Sequence, residues 1–492
     1  MAELKVIRGG TKTVLSFEPG QRLSDVLNAH GINVLRPCGG RGVCGKCAVM
    51  LSGKISPPSP AEQKAGVRLA CQTILLGDSE VILPESRAVE QIQLSGRDRL
   101  TPVAPMPGRY GAAVDIGTTT VVLSIYDLST GLCLGESGML NPQAAVAADV
   151  MGRIGAALAG EGKGLRDQVT NAISALLSQA CAQAEVEEGQ VESLVVTGNT
   201  TMLYLLTGRD PASLSRAPFQ ADYLFDETVT ICGRRAYLPP CMHAFVGADI
   251  TCAVLASGMC DKNGIALLCD VGTNGEMALW KDGELLVTST AAGPAFEGAG
   301  ISCGCGSVAG AIDCVWVKEG LAAVHTIGEV PAVGICGSGL IDAVAVGLAL
   351  GEIDETGAME RDAWSLTEDV CLLPGDIRAV QLAKAAIAAG LETLLESAKI
   401  TVGQLDAFYI AWGFGSHLNV HSAAAIGLFP EDAVKKARVA GNGALAGAGQ
   451  LLLDQGKMDR ARKIARSARH VNLGGNPQFN QHYMEQMLFP EG

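Results

Sequence analysis

"AAVDIGTTTVVLSIYDLSTG", residues 112–131, is two apolar runs folded about a Gly–Thr turn, the pattern of an antiparallel β-hairpin. Its first run ends in a carboxylate, Asp115, and the turn then supplies a glycine and hydroxyls. The arrangement returns 155 residues later in "GIALLCDVGTNGEMALWKDGELLVTST" (264–290), where Asp270 closes a strand before a second hairpin. Between them "ESLVVTGNTTML" (192–203) reads as a strand, a turn and a helix start. Ala-rich helices are predicted at 143–158, 166–184 and 378–397. One Asp–Gly turn is ordinary hairpin chemistry. Two, each opening a hairpin in its own half, predict one duplicated α/β fold over 109–492, with lobes at about 109–262 and 263–492.

The bulk numbers agree with this and exclude other classes. A chain of 492 residues suits roughly two to four domains. It is 48% hydrophobic, with mean hydropathy +0.26, enough for large cores. Only 4% aromatic content and 61 glycines favour parallel α/β packing with tight turns over a β-sandwich. The net charge is −14, and no basic run or aromatic-interleaved patch occurs, so no nucleic-acid partner is expected. "MAELKVIRGGTKTV" has no apolar core of a signal peptide, and no 18-residue apolar run occurs. The expectation is a cytoplasmic chain with no membrane association. Sixteen cysteines in such a chain argue against a disulfide framework and for a reducing, anaerobic setting. Most read as small buried hydrophobes.

Ahead of the first hairpin the texture differs. "LKVIRGG" and "TKTVLSFEPG" are strand-like, and "SDVLNAHG" is a helix with Ser24 as N-cap and Gly31 past its end. "CAVMLSG", "LACQTILL" and "EVILPES" are further strands. That order predicts a β-grasp domain over 1–87, followed by a polar, proline-bearing linker at 88–108. Inside it lies "PCGGRGVCGKC" (37–47), with Cys38, Cys44 and Cys47 spaced C-x5-C-x2-C and Cys71 in a predicted strand after 23 intervening residues. Zinc usually takes two C-x2-C pairs, and here the distant partner is single. A Cys44–Cys47 dithiol leaves Cys38 and Cys71 unexplained. Plant-type 2Fe–2S ferredoxins use C-x4-C-x2-C and one distant cysteine, and the extra residue here matches the adrenodoxin-like variant. The β-grasp order favours a 2Fe–2S cluster over zinc or a dithiol. Arg41 and Lys46 are loop charges that tune the cluster, dock a partner or are simply solvated.

In "DIGTTT" (115–120) and "DVGTNG" (270–275) a strand-end carboxylate, a permissive glycine and following hydroxyls and N–H groups place donors around a phosphate. The carboxylates can hold a hydrated Mg²⁺. These residues resemble the ATPase superfamily of actin, sugar kinases and heat-shock chaperones, with "AWGFGSHLN" (411–419) as its adenosine loop. "VTGNTT" (196–201) and "AGNGALAGAG" (440–449) stand where its connecting helices begin. The resemblance implies that Asp115 and Asp270 hold the metal. It puts Gly117, Thr118, Thr119, Asn199, Thr200, Gly272, Thr273 and Asn274 on the nucleotide's phosphate side. Gly413, Phe414 and Gly415 would flank the nucleoside. Glu297 in "GPAFEG" would polarise the attacking water or cap a helix.

A ferredoxin fused to this ATPase fold, with "NPQAAVAADVMGRI", "GNTTM", "GPAFEGAGI", "GICGSGLID" and "QLAKAAI", is similar end to end to one family. It is the ASKHA-domain reductive activators of corrinoid-dependent methyltransfer proteins. The resemblance implies ATP-coupled electron transfer from the 2Fe–2S cluster to an inactive Co(II) corrinoid protein, restoring Co(I). A plant-type cluster lies near about −400 mV, and the free Co(II)/Co(I) couple is expected lower, so differential binding must shift the balance. The implied partners are a corrinoid protein of a methyltransferase system and an upstream low-potential donor, and a homodimer is compatible. Larger members carry an additional middle domain, where this chain has only the linker. Tyr204 stands where a histidine is expected, and Cys303-Gly-Cys305 reads as small buried residues rather than a second metal site. Two alternatives remain: an ATP-coupled donor to another low-potential enzyme, as in dehydratase activators, and a small-molecule kinase with a redox-sensing cluster.

Overall fold

A computed structural model describes residues 2–8, 11–30, 32, 34, 47–65, 67–83, 100–412 and 418–490. Cys38 and Cys44, Arg41 and Lys46, Gly413, Phe414 and Gly415, and the linker up to residue 99 lie outside the described residues. Two compact units form, residues 1–88 with 141–169 and residues 89–140 with 170–492.

The first unit carries a five-stranded sheet ordered β2-β1-β5-β3-β4, from β1 (Ala2–Arg8), β2 (Thr11–Phe17), β3 (Ala48–Ile55), β4 (Arg68–Leu69) and β5 (Leu75–Ile82). β1 pairs antiparallel with β2 and parallel with β5, the β-grasp arrangement. Alternate residues Leu4 and Val6, Leu15 and Phe17, and Val81 turn inward onto Leu23, Val26 and Leu27 of the helix Leu23–Ala29. Two local expectations are corrected. Ser24 is not the N-cap: Arg22 holds that position without a side-chain bond. The amides of Leu23 and Ser24 donate instead to the carbonyls of Thr73 and Ala70, at 3.0 and 2.9 Å. Cys71 is in a turn, not a strand, because the amides of Gln72 and Thr73 both fold back onto the Leu69 carbonyl.

In the same unit the expected helix 143–158 is broken. Asn141 caps a short turn at Pro142–Ala145, and Asp149 accepts from the Gly152 amide at 2.7 Å to start a new helix at Val150–Ala156. Buried Arg153 donates to the Ala147 carbonyl and to Gln143, which binds the Leu165 carbonyl. The polar residues of "NPQAAVAADVMGRI" thus satisfy this turn internally.

The second unit shows the duplication. Its first lobe has a sheet ordered β10-β11-β9-β6-β7-β8, from β6 (Tyr110–Ile116), β7 (Thr120–Asp127), β8 (Cys133–Leu140), β9 (Val191–Gly198), β10 (Glu227–Ile231) and β11 (Arg234–Leu238). The second lobe contains β12 (Ile265–Val271), β13 (Gly275–Lys281) and β14 (Glu284–Thr290). Smaller pieces follow, β15 (Ala311–Lys318), β16 (Leu321–Thr326), β17 (Gly334–Ile335), β18 (Trp364–Ser365) and β19 (Cys371–Leu372). β20 (Ala407–Trp412), β21 (Ala437–Gly441) and β22 (Ala468–His470) complete the main sheet, ordered β21-β20-β12-β13-β14-β22. In both lobes an antiparallel meander (β6-β7-β8, β12-β13-β14) carries a parallel strand (β9, β20) on its opening strand.

Helix Gly443–Leu453 packs on helix Ala248–Ser257 and on β6 and β9, joining the lobes beneath their cleft. The joint is apolar: Val195, Ile250, Leu255, Leu268, Val287, Leu445 and Leu451 share one core. At its narrowest a Cβ on Gly447 would stand 2.1 Å from the Cys252 carbonyl oxygen, so only glycine fits. Residues 100–106 also dock here, the amides of Val103 and Met106 donating to the carbonyls of Leu453 and Leu452. Among the described residues no helix is long and apolar enough to cross a membrane.

Candidate functional site

The duplication sets two Asp–Gly–Thr turns face to face. Asp115 stands one residue before the end of β6 and Asp270 one before the end of β12, and both line the cleft with the two turns. Both turns are tight at their glycines, the first more so. A Cβ on Gly117 would meet the Thr120 carbonyl oxygen at 2.9 Å, and one on Gly272 the Asn274 carbonyl oxygen at 3.3 Å. Such turns bring backbone close to a ligand.

Two asparagines hold the loops in place. Asn199 caps helix Thr200–Thr207 by accepting from the Met202 amide, and its Nδ2 donates to Thr118 at 3.1 Å. Asn442 caps helix Gly443–Leu453 in the same way, and its Nδ2 donates to Asp115 at 2.9 Å. Each connecting helix is therefore bonded through its capping residue to the first Asp–Gly–Thr turn. Thr200 donates to the His243 carbonyl and supports the loop behind the cleft.

The cleft also contains carboxylates that sequence reasoning did not find. Asp249, in the first turn of helix Ala248–Ser257, and Glu276, register partner of Asp270, join Asp115 and Asp270. Burial pushes Asp115 up to about 6, with the Asn442 bond pulling back. Burial and the charge of Asp115 push Asp270 up to about 7. Asp249 and Glu276 are raised by burial and by one another's neighbourhood of negative charge. Four acids that resist ionising together are a site short of positive charge. The donor set fits a hydrated divalent cation and a polyphosphate. Among the described residues no three acids, histidines or cysteines converge to ligate a metal directly. Glu276 directly follows the quoted "DVGTNG" and was within reach of a register argument, whereas no spacing links Asp249 to either loop.

Glu297 is not a helix cap here. Its Oε1 accepts from the Thr273 amide at 2.8 Å and hydroxyl at 2.6 Å, and its Oε2 accepts from the Thr119 hydroxyl. Trp412, the last described residue of β20 before the expected adenosine loop, lines the same cleft. Tyr204 is fully buried and accepts from the Tyr223 amide, a structural part. Cys303 and Cys305 are half-buried, and the Cys303 thiol lies beside that of Cys371.

In the first unit Cys47 and Cys71 are buried, and the Ala70 amide donates to the Cys47 carbonyl at 2.9 Å, so the two cysteine-bearing segments are paired. Gln72 Nε2 lies 3.7 Å from the Cys71 sulfur. The turn around Cys71 is braced by Glu62, also missed in the sequence. Its Oε1 accepts from the Leu69 amide, Arg68 and Thr73, and its Oε2 from the Ser59 amide. Ser59 accepts from the Glu62 amide in return, a capping box legible as Ser-x-x-Glu. Two buried cysteines on paired segments, Cys71 on the braced turn, fit a thiolate-held cluster.

Comparison with known proteins places these features together. A family described as the 2Fe-2S iron-sulfur cluster binding domain matches residues 6–76. The RACo middle region matches 110–262, and the C-terminal domain of RACo, the ASKHA domain, matches 264–492. The chain thus does carry a region that the family calls its middle region, and it is the first lobe itself. The corrinoid activation enzyme RamQ of Eubacterium limosum is 33% identical over 77% of this chain and 70% of its own. The [Co(II) methylated amine-specific corrinoid protein] reductase of Methanosarcina barkeri is 26% identical over 77% of each. A solved reductive activator for corrinoid,iron-sulfur protein superposes with TM-score 0.74 at 28% identity, over 99% of this chain and 98% of that one. On the matched lobes, the ferredoxin module and the extent of these likenesses, the chain belongs to the RACo family of reductive activators of corrinoid proteins.

Proposed function

We propose that this chain is an ATP-dependent reductive activator that delivers one electron to the Co(II) state of a partner corrinoid protein, giving Co(I) for methyl transfer. The observation that carries the reading is the joining, in one chain, of a braced cysteine turn and a doubled phosphate cleft, together with what the relatives are named for. In this reading residues 1–87 carry the electron, 88–108 link, and 109–492 bind and hydrolyse nucleotide. Cys38, Cys44, Cys47 and Cys71 hold the 2Fe–2S cluster, which supplies a one-electron carrier. An upstream low-potential protein re-reduces it, so each turnover moves one electron in and one out.

The cleft residues bind and orient. Gly117, Thr118, Thr119, Gly272, Thr273 and Asn274 surround the phosphates with N–H and hydroxyl donors, and Asn199 fixes Thr118. Asp115 and Asp270 would hold Mg²⁺, which would offset the charge of the phosphates, and Asn442 orients Asp115. By the superfamily resemblance of their loop, Gly413, Phe414 and Gly415 would flank the nucleoside. Binding energy that differs between the two nucleotide states is what can favour the Co(I) complex. The chemically reduced chain with Mg-ATP should restore the absorbance of a Co(I) corrinoid partner. Cys44→Ala should abolish this while ATP affinity stays unchanged. Equal activity of Cys44→Ala and wild type refutes the proposal.

A further inference from the structure

Glu297 stands where the nucleotide reading needs an anion, and that coincidence carries further than a catalytic role. Its two carboxylate oxygens take one amide and two hydroxyls, the Thr273 N–H, the Thr273 hydroxyl and the Thr119 hydroxyl. One hydroxyl comes from each Asp–Gly–Thr turn, and the two lie 3.3 Å apart. This is the donor set expected to close around a terminal phosphate. A carboxylate and a phosphate oxygen accept from the same donors with similar geometry, and two anions cannot share them. We infer that Glu297 is a phosphate-competing latch: it holds the two turns together without nucleotide and is displaced by the nucleotide's terminal phosphate. The inference rests on the nucleotide-site reading above and adds a regulatory role to it.

The segment around Glu297 is built to pass such a displacement on. Glu297 ends the short turn Ala295–Glu297. The Phe296 carbonyl oxygen lies 1.8 Å from where a Cβ on Gly337 would be, so it bears directly on the first residue of helix Gly337–Leu350. On the other side Gly298 packs backbone to backbone, a Cβ there falling 2.3 Å from the Cys305 carbonyl oxygen. Cys305 donates to the Ile335 carbonyl and Ile335 to the Cys303 carbonyl, both at 2.9 Å. The backbone on both sides of Glu297 is thus in close contact with the start of helix Gly337–Leu350 and with β17, the elements placed to respond when the carboxylate is released.

The test has an unusual sign. With the full chain and magnesium, binding of a non-hydrolysable ATP analogue and of adenosine is measured by calorimetry for wild type and Glu297→Ala. Removing a competitor raises the fraction of binding-competent protein, so the analogue should bind about tenfold more tightly to Glu297→Ala, with adenosine unchanged. Analogue affinity that is unchanged or weaker overturns the latch and leaves Glu297 a water-activating or ligand-contacting residue. Equal tightening for adenosine overturns it as well. If wild type binds no nucleotide at all, the site reading itself falls, a separate result. Hydrogen exchange on wild type serves if the variant does not fold. The analogue should raise exchange across 296–305, and no change there overturns the inference.

Discussion

Replacing Glu62 by glutamine removes one charge and keeps the shape of the side chain that braces Cys71. Burial alone would raise this carboxyl. The bonds from the Thr73 hydroxyl, the Ser59 and Leu69 amides and Arg68 overcome it and bring it from 4.5 down to about 2. Each pH unit between folded and unfolded values is worth about 1.4 kcal/mol, so the ionised form contributes ~3 kcal/mol to the first unit. A carboxyl depressed in the folded state contributes fully above its unfolded value and loses its contribution as pH falls toward the folded one. The stabilisation is therefore complete above about pH 4.5 and gone near pH 2. Glutamine also sets an amide NH₂ against the Ser59 N–H or the cluster of donors at Oε1, leaving a buried donor unmatched. In urea at pH 7, followed by the cluster's visible absorbance, Glu62→Gln should unfold at a midpoint lower by about 1–3 M. Far-UV circular dichroism should show the gap closing between pH 4.5 and 2. Equal midpoints at pH 7 refute the reasoning.

Asp249→Asn removes one of four acids that burial and mutual repulsion hold above their ordinary range, so it should stabilise the metal-free chain. Raised carboxyls favour the folded state when protonated. Wild type should therefore lose melting temperature as pH rises from about 4 through 7, and Asp249→Asn should lose less, read by scanning calorimetry without magnesium. Asn442→Ala removes a helix cap worth about 1 kcal/mol and the donor that orients Asp115, so both melting temperature and Mg-ATP affinity should fall. Asn442→Asp keeps the cap but sets a second carboxylate against buried Asp115, so it should lose the affinity and also lose melting temperature as pH rises toward 7.

The doubled fold was legible because hairpins repeat a local pattern, and Asp115 and Asp270 carried the cleft with them. Cys71 was assigned as a ligand from spacing, but its turn was misread as strand. "LACQTILL" has strand composition, and what bends it is the return of the Gln72 and Thr73 amides to the Leu69 carbonyl, braced by Glu62 on Leu69 and Thr73. Ser24 failed as a cap for a similar reason, since the carbonyls of Ala70 and Thr73 took the helix amides. Asp249 was invisible because it reaches the cleft only through Gly247. A Cβ there would lie 2.5 Å from the Asn199 Cα, a contact between segments nearly fifty residues apart. Glu297 was singled out in the sequence, but its partners on both turns exist only once the lobes face each other.

The joint between the lobes has a thermal character. Gly447 meets the Cys252 carbonyl with no side chain between them, and the residues around that contact are aliphatic. Hydrophobic association weakens on cooling, so this contact loosens in the cold, whereas the part-exposed Arg462–Asp226 pair that also joins the lobes loosens with salt.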